Sequence, residues 1–229
     1  MQIDDGWRPE IPPDSPNRPI GSLDGFIKHG KFDPQWQQIV TNGDSLLRHT
    51  IMSNLVTQQL MRIAYHNIHW DGHFGNRKTA WFTQAPCKCE YKYSTISAKP
   101  QPYPVWLTTL QQAVSDMTGS HYNCCNANLY HNGNDYCGLH ADDEPLFDNK
   151  DGFSIASLSV GATRKFNIQS NVGTHTYAHT VTDGMLLEMG RQFQSLYRHG
   201  VMKEASVKEY RINFTFRFIT SHHRQCPCI

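Results

Sequence analysis

Residues 211–218 read Arg-Ile-Asn-Phe-Thr-Phe-Arg-Phe. Polar and apolar side chains alternate without a break. In an extended strand successive side chains point to opposite faces. Ile212, Phe214, Phe216 and Phe218 therefore share one face and look like hydrophobic core. Arg211, Asn213, Thr215 and Arg217 share the other. If the strand is central, two arginines point into the protein, and buried charge without a partner is costly. Guanidinium groups pair bidentately with carboxylates, so a dicarboxylic ligand would satisfy both. An edge strand with one wet face shows the same alternation, and the stretch alone leaves both placements open.

The hundred residues before this strand have a matching texture. Short runs rich in β-branched and aromatic residues fall at 122–131, 153–160, 163–169, 174–181, 184–189 and 194–199, with 207–219 as the last. The breaks between them are HNGND, DNKDG, GATR, NVG, TDG and KEAS. Strands at this regular spacing predict an antiparallel sandwich or barrel. Two helices precede them. One spans 53–66, with Val56, Leu60, Ile63 and Ala64 on one face and Ser53 or Asn54 as cap. The other spans 104–118, with Pro104 in its first turn, an apolar stripe of Leu107, Leu110, Val114 and Met117, and Gly119 as its stop. The expected class is α+β, a double-stranded β-helix (jelly-roll) core with the N-terminal helices packed on one sheet.

Totals bound the rest. The chain has 229 residues, enough for one domain with a buried core. Residues 8–22 hold five prolines, so 1–24 is expected to be a Pro-rich, poorly ordered leader. A single domain is expected over 25–219 and a Cys-containing tail over 220–229. No apolar run is long enough for a membrane span. The start MQIDDGWRPE carries no secretory pattern, which points to an intracellular protein, in nucleus or cytoplasm. Net charge is +1. Residues 190–229 carry seven Lys/Arg against two Asp/Glu, so the end of the chain is expected to present a basic surface. The seven cysteines include the close pairs Cys87/Cys89 and Cys226/Cys228, read as free thiols in a reducing compartment. Cys226 and Cys228 read as solvent-exposed. Zinc held by the two pairs is disfavoured, because they lie far apart in the sequence.

Two further constellations carry chemistry. His140-Ala141-Asp142 puts an imidazole and a carboxylate on the same side of an extended chain, where both can hold one metal ion. A second histidine would complete a facial triad and leave other positions open for ligands and oxygen. His175, His179, His199, His222 and His223 are candidates. His199 is preferred, because a hairpin could return it to the site near Arg211, whereas the others read as surface residues. Asn128 and Tyr130 stand two apart on an expected strand, and each offers hydrogen bonds to a carboxylate or keto group.

Taken in order, these pieces resemble the AlkB family of oxygenases, most of all its DNA-acting homologues. The stretches are NLYHNGNDYCGLHADDE (128–144), SIASLSVGATRKF (154–166) and RHGVMKEASVKEYRINFTFR (198–217), within a resemblance over residues 76–219. It implies that His140, Asp142 and His199 bind Fe(II). It implies that Arg217 pairs with the carboxylate of 2-oxoglutarate beside the iron and Arg211 with the far one. Asn128, Tyr130, Asn213 and Thr215 would help hold that cosubstrate, with O2 as the oxidant. Asp143 and Glu144 would organise the base pocket. Residues 76–83, NRKTAWFT, are similar to the family's substrate lid, with Phe82 in place of its tyrosine. Trp81 and Phe82, with His140 opposite, would then stack on an extruded base, Tyr91 and Tyr93 would line the same wall, and Arg77 would contact phosphate. The implied activity is oxidative dealkylation of N-alkylated bases, a DNA-repair type of reaction, by a monomer acting on alkylated DNA or RNA with no membrane involved. The same chemistry on RNA, a protein side chain or a small molecule is the alternative.

Overall fold

The structure, a computed structural model, describes residues 25–28, 33–42, 45–73, 77–93, 96–147 and 153–229. The expected leader, 1–24, lies outside the described residues. In chain order the strands and helices are β1 (Gln37–Asn42), β2 (Ser45–Ile51), α1 (Thr57–Asn67), β3 (Asp71–His73), β4 (Lys78–Thr83), β5 (Tyr91–Tyr93), β6 (Ile96–Ala98), β7 (Gln101–Pro102), α2 (Val105–Thr118), β8 (Cys124–Tyr130) and β9 (Cys137–His140). There follow β10 (Ile155–Gly161), β11 (Arg164–Ser170), β12 (Thr176–Val181), β13 (Met185–Met189), α3 (Phe193–Leu196), β14 (Tyr197–Val201) and β15 (Arg211–Arg217). A larger sheet runs β1-β2-β13-β10-β15-β8-β4-β3, with β7 beside β4. A smaller one runs β12-β11-β14-β9, and β5 pairs with β6 alone. No described helix is long and apolar enough to cross a membrane.

The strand read first lies in the middle of the larger sheet, hydrogen-bonded to β10 on one side and β8 on the other. The edge placement is therefore excluded. Its two faces separate two environments. Ile212, Phe214 and Phe216 join a core built with α1 and α2, in which Trp106 meets Phe214 edge-on at 6.1 Å between ring centres. Neighbouring strands obey the same parity. Ala80 and Phe82 of β4, Cys125, Ala127 and Leu129 of β8, and Ala156, Leu158 and Val160 of β10 all enter that helical core. The opposite face looks toward the smaller sheet. There Phe166, Ile168, Leu187, Met189 and Val201 fill the space between the sheets, and Arg211, Asn213, Thr215 and Arg217 stand buried beside them. The jelly-roll core and the helices on one sheet face are as expected.

Local details differ where a tertiary partner replaces a local one. Helix α2 starts after Pro104 and stops at Gly119, whose φ of 72° is the left-handed turn that glycine tolerates. Helix α1 begins later than expected, and neither Ser53 nor Asn54 caps it: its N-cap is Val56, without a side-chain cap. Residues 53–56 are held instead by the chain before them, with Val56 N–H donating to Phe26 O and Lys28 N–H to Asn54 O. The strand expected at 194–199 opens as the single turn α3 before becoming β14. The expected basic surface of 190–229 loses two of its cations, since Arg211 and Arg217 are buried.

Gly200 fixes the approach of β14 to β9. A Cβ there would stand 2.7 Å from the Cys137 carbonyl oxygen and 2.8 Å from that of Gly138, so any side chain pushes the two strands apart. The helical core predicts a large cost for deleting its central ring. Phe214→Ala should lower stability by about 3–5 kcal/mol, read as a lower urea midpoint at unchanged slope. A loss below about 1 kcal/mol would mean that the α2–sheet contact contributes little to stability.

Candidate active site

His199 of β14 lies directly across from His140 of β9 in the smaller sheet. Their rings stand 4.5 Å apart between centres. Two residues beyond His140 the chain has left the strand, and Asp142 turns into the space between the sheets. The ligand atoms of His140, Asp142 and His199 all lie within 4.8 Å of one another. The Nε2 of His140 is 3.5 Å from Asp142 Oδ1, and that of His199 is 3.8 Å from Asp142 Oδ2.

Other groups hold this arrangement. His140 Nδ1 is 2.8 Å from the Gly138 carbonyl oxygen. A donated N–H there turns Nε2 toward Asp142, the way metal-binding histidines are oriented. Burial opposes charge on this ring, but in metal-free protein Asp142 and Cys137 outweigh it and hold His140 well above its usual value, so a cation at Nε2 would displace a proton. The Asp142 backbone N–H donates to Gln194 Oε1 at 2.9 Å. Gln194 sits in α3, the turn that brings its side chain to this amide. Phe166 stacks on His199 at 5.2 Å. From the larger sheet, Arg217 Nη2 reaches Asp142 Oδ1 at 2.6 Å.

Charge follows from these neighbours. Burial opposes ionisation of Asp142, but Arg217 and the two imidazoles outweigh it and hold its carboxyl well below the usual range. Burial, reinforced by His140, pushes His199 down to about 3, so it stays neutral and able to donate a lone pair. Burial likewise lowers Arg211. Burial would lower Arg217 too, but Asp142, Tyr91 and Glu144 more than offset it and hold Arg217 well above its usual value.

The cavity beside the triad is lined by Asn128 and Tyr130 from β8 and by Arg211, Asn213, Thr215 and Arg217 from β15. Arg211 Nη2 donates to Ser159 Oγ at 3.0 Å, and its guanidinium lies 5.1 Å from the Tyr130 ring centre. Asn213 donates to Ser157 Oγ at 2.8 Å and accepts from Thr215 Oγ1 at 3.0 Å. Two kinds of unmet demand face each other here. Both Asp142 carboxylate oxygens lack an aligned hydrogen bond among the described residues, as do Nε and Nη1 of both Arg211 and Arg217. Acceptors cluster at one end and cationic donors line the wall. A divalent cation fits the first and an anion with two carboxylates the second. Two histidines and one carboxylate are the donor set suited to non-haem Fe(II).

The residues expected to meet a base are dispersed. Tyr91 lines the cavity near Arg217, with the guanidinium 5.5 Å from its ring centre, and its hydroxyl donates to Glu144. Asp143 is exposed just outside. Trp81 lies behind Tyr91, stacked on it at 5.0 Å and wholly buried, so it supports that ring without reaching the cavity. Phe82 corrects the expectation outright. Strand parity sends it to the opposite face of β4, into the helical core against Tyr103. Arg77 is also drawn inward: its Nε donates to Asn128 Oδ1 at 2.8 Å. The side chain of Tyr93 lies outside the described residues. Ser157, Ser159, Asn126 and Gln194 escaped the sequence reading. The serines and Asn126 were signalled by the same alternation in β10 and β8, whereas Gln194 carried no local signal.

A family model described as the 2OG-Fe(II) oxygenase superfamily matches residues 44–217. Over 162 residues the chain is 37% identical to the alpha-ketoglutarate-dependent dioxygenase alkB homolog 3 of Homo sapiens, covering 66% of this chain and 54% of that protein. It is 31% identical to the DNA oxidative demethylase ALKBH2 of Bos taurus over 56% of this chain and 49% of that one. The chain thus spans about half the length of these relatives. Among solved structures, OsALKBH1 superposes with a TM-score of 0.52 at 15% identity, over 80% of this chain and all of that one, a likeness of fold alone.

The two arginines should behave oppositely in metal-free protein. Arg217→Met strands a buried carboxylate and should cost about 3–5 kcal/mol of stability. Arg211→Met removes a desolvated cation that has no carboxylate within ion-pair reach among the described residues, so equilibrium denaturation should show little loss or a gain. Equal losses for both would contradict this distribution of charge.

Proposed function

Since this chain belongs to the 2OG-Fe(II) oxygenase superfamily and, within it, to the AlkB family, we propose that it oxidatively removes alkyl groups from nitrogen atoms of nucleic-acid bases. The observation that carries this reading is one cavity holding both halves of the required site. The His140–Asp142–His199 cluster stands at one end, and the Arg211 and Arg217 guanidiniums line its wall. His140, Asp142 and His199 would hold the iron. Arg217, next to Asp142, would take the near carboxylate of 2-oxoglutarate, and Arg211, on Tyr130, the far one. Asn128, Tyr130, Asn213 and Thr215 would supply neutral hydrogen bonds along the cosubstrate.

Bound together, Fe(II), 2-oxoglutarate and O2 supply the oxidising power that hydroxylates the carbon attached to a base nitrogen, after which that carbon leaves as an aldehyde. The protein's part is placement and dryness. Arg211 projects from the same strand face as Arg217, six residues along, so two fixed cations set the cosubstrate's direction before reaction. Phe166 of β11 covers the site from the smaller-sheet side, and Met189 of β13 lines it from the larger sheet. Tyr91, braced by Trp81 and by its bond to Glu144, forms an aromatic wall on which an extruded base can stack. Asp143 lies at the exposed rim, where a base amino group can reach it. The name of the ALKBH2 relative, a DNA oxidative demethylase, favours a nucleic acid as substrate.

The direct test follows succinate formation from 2-oxoglutarate with Fe(II), with and without an oligonucleotide bearing 1-methyladenine or 3-methylcytosine. The methylated strand should raise turnover and lose its methyl group, and His140→Ala should be silent. Consumption of 2-oxoglutarate that no DNA or RNA strand stimulates would overturn the substrate. In the same assay Arg211→Met should raise the KM for 2-oxoglutarate by about 10- to 100-fold, the worth of a lost charge-assisted hydrogen bond.

A further inference from the structure

On the far side of the Trp81–Tyr91 wall, four potential ligands converge from two distant parts of the chain. Cys87 and Cys89 lie in the loop after β4. His222 and Cys226 lie in the tail after β15. Their ligand atoms are all within 4.8 Å of one another. Cys226, expected in solvent, is buried, and His222 is half-buried, whereas the neighbouring Cys228 and His223 are exposed.

The separations carry chemical information. His222 Nδ1 is 3.6 Å from Cys87 Sγ, 3.6 Å from Cys89 Sγ and 3.5 Å from Cys226 Sγ. Cys87 and Cys226 sulfurs are 3.8 Å apart. Zinc bonds to thiolate sulfur at about 2.3 Å and to imidazole nitrogen at about 2.0–2.1 Å. A tetrahedron with those bonds has S···S edges of about 3.8 Å and S···N edges of about 3.5 Å. The observed spacings match these edges and are too long for a disulfide, whose sulfurs stand about 2.05 Å apart. We propose that Cys87, Cys89, His222 and Cys226 form a structural Zn2+ site that clamps the C-terminal tail to the wall of the active site.

The surroundings are those of a closed metal site. The His223 backbone N–H donates to Cys89 Sγ at 3.3 Å, the kind of bond that steadies a coordinated thiolate. A dication would take all three sulfurs as thiolates. No position is left for water, since four protein ligands complete the tetrahedron. The tail reaches the site already anchored, with Ile219 N–H donating to Asn123 Oδ1 and Thr220 N–H to Leu146 O. The link to the wall is direct: Trp81 Nε1 donates to the Cys89 carbonyl oxygen at 2.8 Å, and Trp81 carries Tyr91.

Metal content of the full chain, purified with reductant and supplied with zinc, tests this. About one zinc per chain should resist buffer exchange. It should persist in His140→Ala, which separates it from the catalytic cluster. Cobalt(II) loaded into His140→Ala should show thiolate-to-metal charge transfer, a band that a site of two imidazoles and a carboxylate cannot give. Cys87→Ser and Cys226→Ser should weaken binding by more than about tenfold, while Cys228→Ser and His223→Ala change nothing. Should the serine variants fail to fold, the wild-type cobalt spectrum and thiol count still decide. Absence of the charge-transfer band, a Cys87–Cys226 disulfide in the native chain, or equal loss in Cys228→Ser would each overturn the proposal.

Discussion

Asp142 and Arg217 meet at 2.6 Å where almost no solvent reaches either side chain. Removing two such ions from water is expensive, and their attraction offsets the cost only when both are held in place. Much of the architecture serves that condition. Arg217 must come from a central strand, because an edge strand would leave it wet. Asp142 must come from the other sheet, so the two sheets have to face each other across a narrow gap. Gln194 ties down the aspartate's backbone, and Tyr91 and Phe147 flank the guanidinium. The pair still leaves both Asp142 oxygens and part of the guanidinium short of aligned partners. That residual demand is what makes the cavity a binding site and not a sealed polar core.

The larger sheet acts as a partition. One of its faces is hydrocarbon packed on two helices, and the other is a row of polar groups facing the smaller sheet. A β-strand enforces this economically, because parity alone assigns each residue to a side. Adjacent strands repeat it in register: Asn213 lies opposite Ser159 on one side and Asn128 on the other. The helical core supplies the stability that permits the opposite face to hold desolvated charge. Fold and site are thus two readings of one alternating pattern.

That economy explains what was legible beforehand. RINFTFRF showed the alternation but left a central or an edge placement open, and the neighbouring Asn128/Tyr130 and His140/Asp142 pairs obeyed the same two-residue spacing. His199 could be chosen among several histidines only through its distance from Arg211 and the family likeness. Errors arose where parity was set aside or where partners are remote. Trp81 and Phe82, adjacent in sequence, were both assigned to the base pocket, although neighbouring residues on a strand cannot share a face. Gln194 and the helical turn around it depend on a backbone amide 52 positions away. Zinc held by the Cys87/Cys89 and Cys226/Cys228 pairs was disfavoured on their separation in the sequence, and only the path of the chain past Ile219 brings Cys87, Cys89, His222 and Cys226 together.

The parity of β15 also sets a rule for how this protein can change length. One residue added or lost within Arg211–Arg217 would exchange the two faces beyond that point, sending phenylalanines toward the cavity and arginines into the helical core. A substitution there costs only what its own contacts are worth, whereas a length change displaces every residue beyond it. The exposed turn at 171–174, between β11 and β12, carries no such parity toward the site. Among descendants of this sequence, insertions and deletions should therefore gather in turns of that kind, while the spacing from Arg211 to Arg217 stays constant even where the residues between them drift.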